Sequence, residues 1–204
     1  GTLANCLFEG NRGGSDTTAV GGIVMSGGTM VNGIVTNNTY GTAGSGWAGG
    51  VAMGAGLVRN CLIARNVGQG LRITAGAVEH ATIATNSLAG VEMSGGGITN
   101  SVVYYNNAGG ANLVGSTTNF AYSCAPEFPG GQPSTGNINP PPIFRDPVAG
   151  NFRLFYNSPC ANAATNLAWT ATGTDLDGKP RRQGAGPDMG AYETKTSGSV
   201  LVAR

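Results

Sequence analysis

"LVRNCLIARNVGQGLRITAG", residues 57–76, decides the fold once the two stretches that follow are laid beneath it. Residues 77–96 read "AVEHATIATNSLAGVEMSGG" and residues 97–116 read "GITNSVVYYNNAGGANLVGS". Each stretch is twenty residues long and carries three short apolar segments separated by Gly or Asn turns. A fixed period near twenty is the signature of a solenoid, whose repeats bury their apolar faces against one another. Residues 2–28 and 29–56 are two further repeats, with insertions of seven and eight residues at one equivalent site.

The apolar positions form three columns. Met30, Val58, Val78 and Ile98 make the first, and Phe8, Val35, Ile63, Ile83 and Val103 the second. The third pairs Ile23 with Met25, Val51 with Met53, Leu71 with Ile73, Val91 with Met93, and Ala111 with Leu113. A spacing of two puts both members of a pair on one face of a strand. Helical spacing never persists, and Gly, Asn and β-branched residues are poor helix formers. Strands lying on their counterparts one repeat later at about 4.8 Å make a parallel β-helix. It is expected to be right-handed, as parallel crossovers are. The fold class is therefore all-β: a right-handed single-stranded parallel β-helix of three strands per coil, with an irregular C-terminal cap. Residues 1–120 are assigned to the five coils, 121–193 to the last coil or coils and the cap, and 194–204 to a tail.

Two polar columns run beside the apolar ones. Asn11, Asn38, Asn66, Asn86 and Asn106 share one position in the five repeats. Asn accepts left-handed turn geometry, and its amide can bond the equivalent amides above and below, so a structural ladder is expected. A second column, Asn32, Asn60, His80 and Asn100, holds the chain's one histidine. With no nucleophile or metal partner in view, His80 reads as a turn residue rather than a catalyst. Arg59 and Glu79 are twenty residues apart, as are Arg72 and Glu92, which sets each pair side by side on neighbouring repeats.

Those pairs leave Glu9 and Asp16 as the other acids before residue 120. An enzyme that cleaves polysaccharides on such a scaffold gathers several carboxylates, for calcium or as an acid and base. The repeats show no such gathering, so no catalytic residue is assigned. Asp175, Asp177 and Gly178 resemble the start of a calcium loop, but its late Glu is missing. Ordinary turn caps, with Arg181 or Arg182 pairing Asp188, are the preferred reading, and calcium the alternative.

Composition fits this picture. The 204 residues are 40% hydrophobic and only 10% charged, and 36 are glycine, a balance typical of a secreted, turn-rich all-β chain. A net charge of +1 gives no footprint for nucleic acid or an anionic membrane surface. No apolar run approaches the ~20 residues of a membrane span. Gly1 falls inside a repeat, with neither initiator Met nor signal peptide, as in a processed piece of a longer chain.

Cys6 and Cys61 stand two repeats apart in one small column, roughly 9 to 10 Å, too far to bridge, and read as buried free thiols. Cys124 and Cys160 flank the Pro- and Gly-rich "APEFPGGQPSTGNINPPP". A disulfide between them would stabilise this region and imply an oxidising compartment; two inert thiols are the alternative. In "IFRDPVAGNFRLFYNSPC", Phe144, Phe152, Leu154 and Phe155 are available to seal the core.

"FEGN" at 8–11 with Gly21, Gly22 and Ile23, and "VTNN" at 35–38 with Gly49, Gly50 and Val51, resemble the FxxN and GGxI repeats of polymorphic outer-membrane proteins. "NPPPIFRDPVAGNFRLFYNSPCANAATN" and "DLDGKPRRQGAGPDMGAYE" are similar to the C-terminal portion of choice-of-anchor Q proteins of the pectin-lyase-like superfamily. The resemblance implies a β-helix carried to the extracellular space or cell surface by bacterial-type export, usually followed by an anchoring segment. The calcium-binding acids and catalytic Arg or Lys of the superfamily's lyases have no matching cluster here.

Two functions are therefore expected in competition. One is a noncatalytic structural module: a stalk, adhesin segment or fibre subunit that meets cell-surface or extracellular proteins and stacks on itself at its open N-terminal end. The other is polysaccharide binding or cleavage, through Arg12, Asp16, Tyr40 and Trp47 on the insertions and Tyr105 farther along, since exposed rings can stack on sugar faces.

Overall fold

The computed structural model describes residues 1–14, 20–41, 48–128 and 135–195; Asp16 and Trp47 lie outside the described residues. The first repeats contribute β1 (Thr2–Ala4), β2 (Leu7–Glu9), β3 (Ile23–Val31), β4 (Ile34–Thr36) and β5 (Ala48–Arg59). The twenty-residue repeats follow with β6 (Leu62–Ala64), β7 (Gln69–Ile73), β8 (Ala77–Glu79), β9 (Thr82–Ala84), β10 (Val91–Met93), β11 (Gly97–Thr99) and β12 (Val102–Tyr104). Then come β13 (Leu113–Gly115), β14 (Phe120–Ala121) and an antiparallel pair, β15 (Phe144–Asp146) and β16 (Asn151–Leu154).

Up to β14 every pairing is parallel and joins a strand to its counterpart one repeat on. A five-stranded sheet runs β2-β4-β6-β9-β12, and a larger one joins the other strands. The two long strands explain the larger sheet. β3 and β5 each span two apolar columns, so their first halves pair toward β7, β10 and β13 while their second halves pair toward β8, β11 and β14. The chain is thus all-β, with large, curled parallel sheets.

The core is built from the expected columns. Met30, Val35, Val51, Val58, Ile63, Leu71, Ile73, Ile83, Val91 and Val103 have no exposed surface. Each such side chain contributes on the order of 1.5–3 kcal/mol relative to leaving it in water. The fifth pair of the third column departs from expectation. Leu113, not Ala111, pairs with Val91, and Ala111 is exposed. Extra residues at 107–110, where a short 3-10 turn forms, push this segment two places along the chain.

The expected charge pairs form: Arg59 Nε donates to Glu79 at 2.8 Å and Arg72 Nε to Glu92 at 3.2 Å. Both pairs are partly exposed and contribute little, on the order of 0–1 kcal/mol.

The cap differs from the sequence expectation in three ways. Phe120 and Phe128, packed at 5.4 Å between ring centroids, join the central core at its C-terminal end. Phe144, Phe152 and Leu154 instead form a second cluster with Leu62, Ala64, Ala84 and Val102, while Phe155 is exposed. These partners occupy alternate positions to the core-facing residues of β6, β9 and β12, so the β15–β16 hairpin packs on the outside of the five-stranded sheet. The second difference is the disulfide expected between Cys124 and Cys160, which is not present: both are buried free thiols. Cys124 Sγ donates to the Pro140 carbonyl oxygen at 3.3 Å. The third is the Arg181 contact, described below. Cys6 and Cys61 are free as expected, though Cys6 is only half-buried.

Candidate functional site

The asparagine column forms a ladder with one sense. The backbone N–H and side-chain Nδ2 of Asn11 both donate to Oδ1 of Asn38, and Asn38 does the same to Asn66, Asn66 to Asn86, and Asn86 to Asn106, all at 2.9–3.0 Å. Each Nδ2 from Asn38 onward also reaches a carbonyl of the preceding repeat, such as Asn86 to Ile63 at 3.1 Å. The left-handed geometry expected at these asparagines belongs to the residue before each of them: Gly10, Asn37, Arg65, Thr85 and Tyr105 have φ between 55° and 68°. In the second column, Asn5, Asn32, Asn60, His80 and Asn100 are themselves left-handed.

The ladder depends on glycine in the next strand. A Cβ on Gly70 would stand 2.5 Å from Asn86 Nδ2, and Gly90 is crowded in the same way by Asn106. The recurrent Asn and the recurrent Gly pair are two halves of one packing device.

At its far end the ladder turns into a pocket. Asn106 donates not to a residue one repeat on but to Asn112 Oδ1, six positions along, at 2.8 and 3.0 Å. Asn112 N then donates to Glu127 Oε1, which also accepts from Leu113 N at 3.3 Å. A carboxylate thus ends the run of N–H donors. Around this terminus Tyr104, Tyr105, Asn106, Gly109, Gly110, Asn112, Pro126 and Glu127 line a pocket of about 350 Å³. Tyr105 is 44% exposed, its ring set edge-on to Tyr104 at 4.8 Å and 6.0 Å from Phe144. Tyr104 donates its hydroxyl to Asn139 O at 3.1 Å. Burial raises the pKa of both phenols from the ordinary tyrosine value.

Backbone strain concentrates here. Tyr105 at φ 59°, Asn107 at 53° and Ala108 at 41° are left-handed within four residues. A bulky residue and an alanine in that region are uncommon and cost on the order of 1–3 kcal/mol each.

Among the described residues expected to bind ligand, Arg12, Tyr40 and Tyr105, it is Tyr105 that lines this pocket. Arg12 is exposed and its backbone bridges Thr39; Tyr40 is half-buried, its N–H donated to Val67 O at 3.2 Å. Tyr104, Asn112 and Glu127 carry no periodic signal that would have nominated them.

The second polar feature is the strap formed by residues 161–194, which runs back over the turn column. Asn100 exchanges two hydrogen bonds with Thr165, at 2.8 and 2.9 Å. Trp169 donates Nε1 to Glu79 at 2.9 Å, meets the His80 ring edge-on at 5.1 Å and lies beneath the Arg59 guanidinium at 4.8 Å. His80 is buried, its Nε2 is 2.8 Å from Asn100 Nδ2, and burial above all lowers its pKa well below 6.5. Arg181 is wholly buried. It does not pair with Asp188 as expected; Nη1 donates to Glu193 at 2.7 Å and Nη2 to Asn60 Oδ1 and Gly190 O. Asp188 is occupied by the N–H groups of Asn162 and Thr194, which leaves Glu193 as the arginine's counter-charge.

Asp175 and Asp177, the calcium candidates, are committed elsewhere. Asp175 accepts the N–H groups of Asp177, Lys179 and Glu193 at 2.8–2.9 Å. Asp177 pairs with Arg153 and Lys179, and the Arg153 hydrogen bond above all lowers its pKa to about 2. Among the described residues no three His, Cys, Asp or Glu side chains gather to hold a metal ion, and no helix is long and apolar enough to cross a membrane. Compared with protein-family models, curated proteins and solved structures, the chain matches none of them.

Proposed function

We propose that the chain is a right-handed parallel β-helix that serves as a noncatalytic structural module outside the cell or on its surface, as a stalk, adhesin segment or fibre subunit. The ladder from Asn11 to Asn112 is the observation that carries this reading. It fixes the spacing of successive repeats with buried, paired amides, which favours stiffness along the stack. Among the described residues the two polar columns of the regular repeats are engaged with one another and with the strap. The sense of the crossover follows the general preference for right-handed connections. β1 and β2 each pair on one side here, with β3 and β4, and a further coil, whether from this chain or from a second copy, would add to the stack by the same parallel pairing.

The test joins shape to chemistry. Purified chain is imaged by electron microscopy and incubated with a panel of polysaccharides, with reducing ends and the ultraviolet absorbance of unsaturated products followed. Stiff rods or end-joined filaments without product are expected; turnover of any polysaccharide defeats the noncatalytic reading.

A second reading, carbohydrate binding, is favoured by the pocket at Tyr105. An exposed ring beside Glu127 and two glycines suits a sugar face with hydroxyls at its edge. Retention on immobilised glycans, lost on removing the Tyr105 ring, is its expected signature.

A further inference from the structure

Positive charge is scarce in this chain, with 11 Lys and Arg among 204 residues, yet four of them line one recess of the cap. Arg145, Arg153, Lys179 and Lys195, with Leu154 and Glu193, enclose about 280 Å³. The recess lies on the β15–β16 hairpin, where Arg145 and Arg153 alternate with the inward-facing Phe144 and Phe152 and so face away from the packed side.

The four cations are unequally neutralised. Arg153 and Lys179 share the single carboxylate of Asp177, and the Arg153 guanidinium rests on the Tyr192 ring at 4.6 Å. Its Nη1 is held by Asn151 Oδ1 at 3.2 Å. Among the described residues Arg145 makes one long hydrogen bond, Nε to Leu154 O at 3.5 Å, and lies 6.0 Å from the Phe155 ring centroid. Neither Arg145 nor Lys195 has a carboxylate within ion-pair distance among the described residues. The acidic wall, Glu193, already accepts from the buried Arg181 and from Asp188 N. Its charge is offset by Arg181 at 2.7 Å, which weakens its opposition to an incoming anion.

We propose that this recess binds an oxyanion, with Arg145 and Lys195 as the pair whose charge is open to it and Arg153 and Lys179 as the pair already held by Asp177. Guanidinium groups match the geometry of phosphate, sulfate and carboxylate oxygens, and a partly enclosed site strengthens the attraction over that at an open surface. The volume exceeds that of a bare tetrahedral ion, which favours an oxyanion carried on a small molecule.

Calorimetric titration of the purified chain at low ionic strength with inorganic phosphate, inorganic sulfate, glucose 6-phosphate, glucose 6-sulfate and glucose decides the matter. At least one oxyanion is expected to bind and glucose not. An ester that binds tighter than its inorganic ion assigns the ligand to a carried group, and equal affinities assign it to the free ion; both support the site. The double variant Arg145→Gln/Lys195→Gln, whose side chains are exposed, should bind at least tenfold more weakly with an unchanged melting temperature. Arg72→Gln, on β7 and outside the recess, should bind as the parent does. No oxyanion bound at millimolar concentration, glucose bound as tightly, or undiminished binding by a folded double variant would overturn the proposal.

Discussion

Arg181 donates to Asn60 across a sequence separation of 121 residues, at the one place where the second turn column is broken. Asn60 donates to Asn32, and Asn32 to Asn5, but His80 stands where the next asparagine would be. The imidazole bonds Asn100, and the guanidinium serves Asn60 in its stead. The strap is therefore keyed to the irregular member of the column.

Arg181→Met keeps the volume and removes the charge. Glu193, Asn60 Oδ1 and Gly190 O then lose a buried partner, at a cost of about 3–5 kcal/mol. The melting temperature should fall by roughly 6–20 °C for a chain of this size. Adding Glu193→Gln should recover part of the loss, because the unpaired carboxylate is then gone. An unchanged melting curve for the single variant would show that the pair does not hold the strap.

His80 sets a pH dependence. Its folded pKa lies well below 6.5, lowered by burial first and by Arg181 next. The unfolded chain thus binds a proton that the folded chain refuses, so the histidine's contribution is intact above about pH 6.5 and drains away as pH falls below it. Glu193 acts in the opposite sense: raised from 4.5 to about 8, its contribution is full below pH 4.5 and lost as pH rises through 8. Thermal melts of the parent and of His80→Asn between pH 7.5 and 5 separate the two, since Glu193 is common to both. The parent should lose stability relative to the variant on acidification; parallel curves would contradict the assignment.

Gly70→Ala tests the coupling of the two recurrent motifs. Its Cβ would meet Asn86 Nδ2 at 2.5 Å and Ile83 Cγ2 at 2.8 Å. Overpacking of this kind costs about 1–3 kcal/mol. Gly27→Ala, where a Cβ meets nothing within 4 Å among the described residues, should change stability by under ~0.5 kcal/mol. Denaturant midpoints compare the pair directly, and equal midpoints would refute the coupling.

Much of this was legible beforehand because repetition converts sequence offset into contact. Residues twenty apart meet, so Arg59 with Glu79, the rungs Asn66, Asn86 and Asn106, and the columns through Ile63 and Ile83 follow from spacing alone. The cap has no such translation. Contacts such as Trp169 with Glu79, or Arg181 with Glu193 and Asn60, join segments with no common period, so sequence spacing offers Asp188 to Arg181 where the fold supplies Glu193. Leu113 was misplaced because the two extra positions near Gly109 reset the count. Tyr105 was reached through its ring chemistry, whereas Glu127 came to light only as the acceptor that ends the ladder.

Tyr105→Asn puts at this left-handed position the residue that Asn37 supplies at the equivalent one, where Asn is least strained. Relief of strain offsets the lost ring contacts, so stability should stay within about 1 kcal/mol. If the pocket holds a sugar, retention on glycan columns should vanish. Retention equal to the parent's would remove the second reading.

Thiol labelling checks the cysteine state. Cys61, Cys124 and Cys160 are buried, and burial raises the Cys61 pKa to about 12, which suppresses its thiolate. Native chain should react quickly at Cys6 only, and denatured chain at four sites. Two reactive thiols after denaturation without reductant would mean that Cys124 and Cys160 are bridged.

The one-way sense of the asparagine ladder has a consequence for how such a chain can change over generations. A rung asks only for an acceptor ahead and a donor behind, whichever repeat supplies them. Gain or loss of one whole repeat in the regular region leaves every bond in that column of the same kind, while a partial insertion must be looped out, as at the 107–110 turn. Length is then the property that evolution can vary most freely here, and the carboxylate of Glu127 marks where the counting stops.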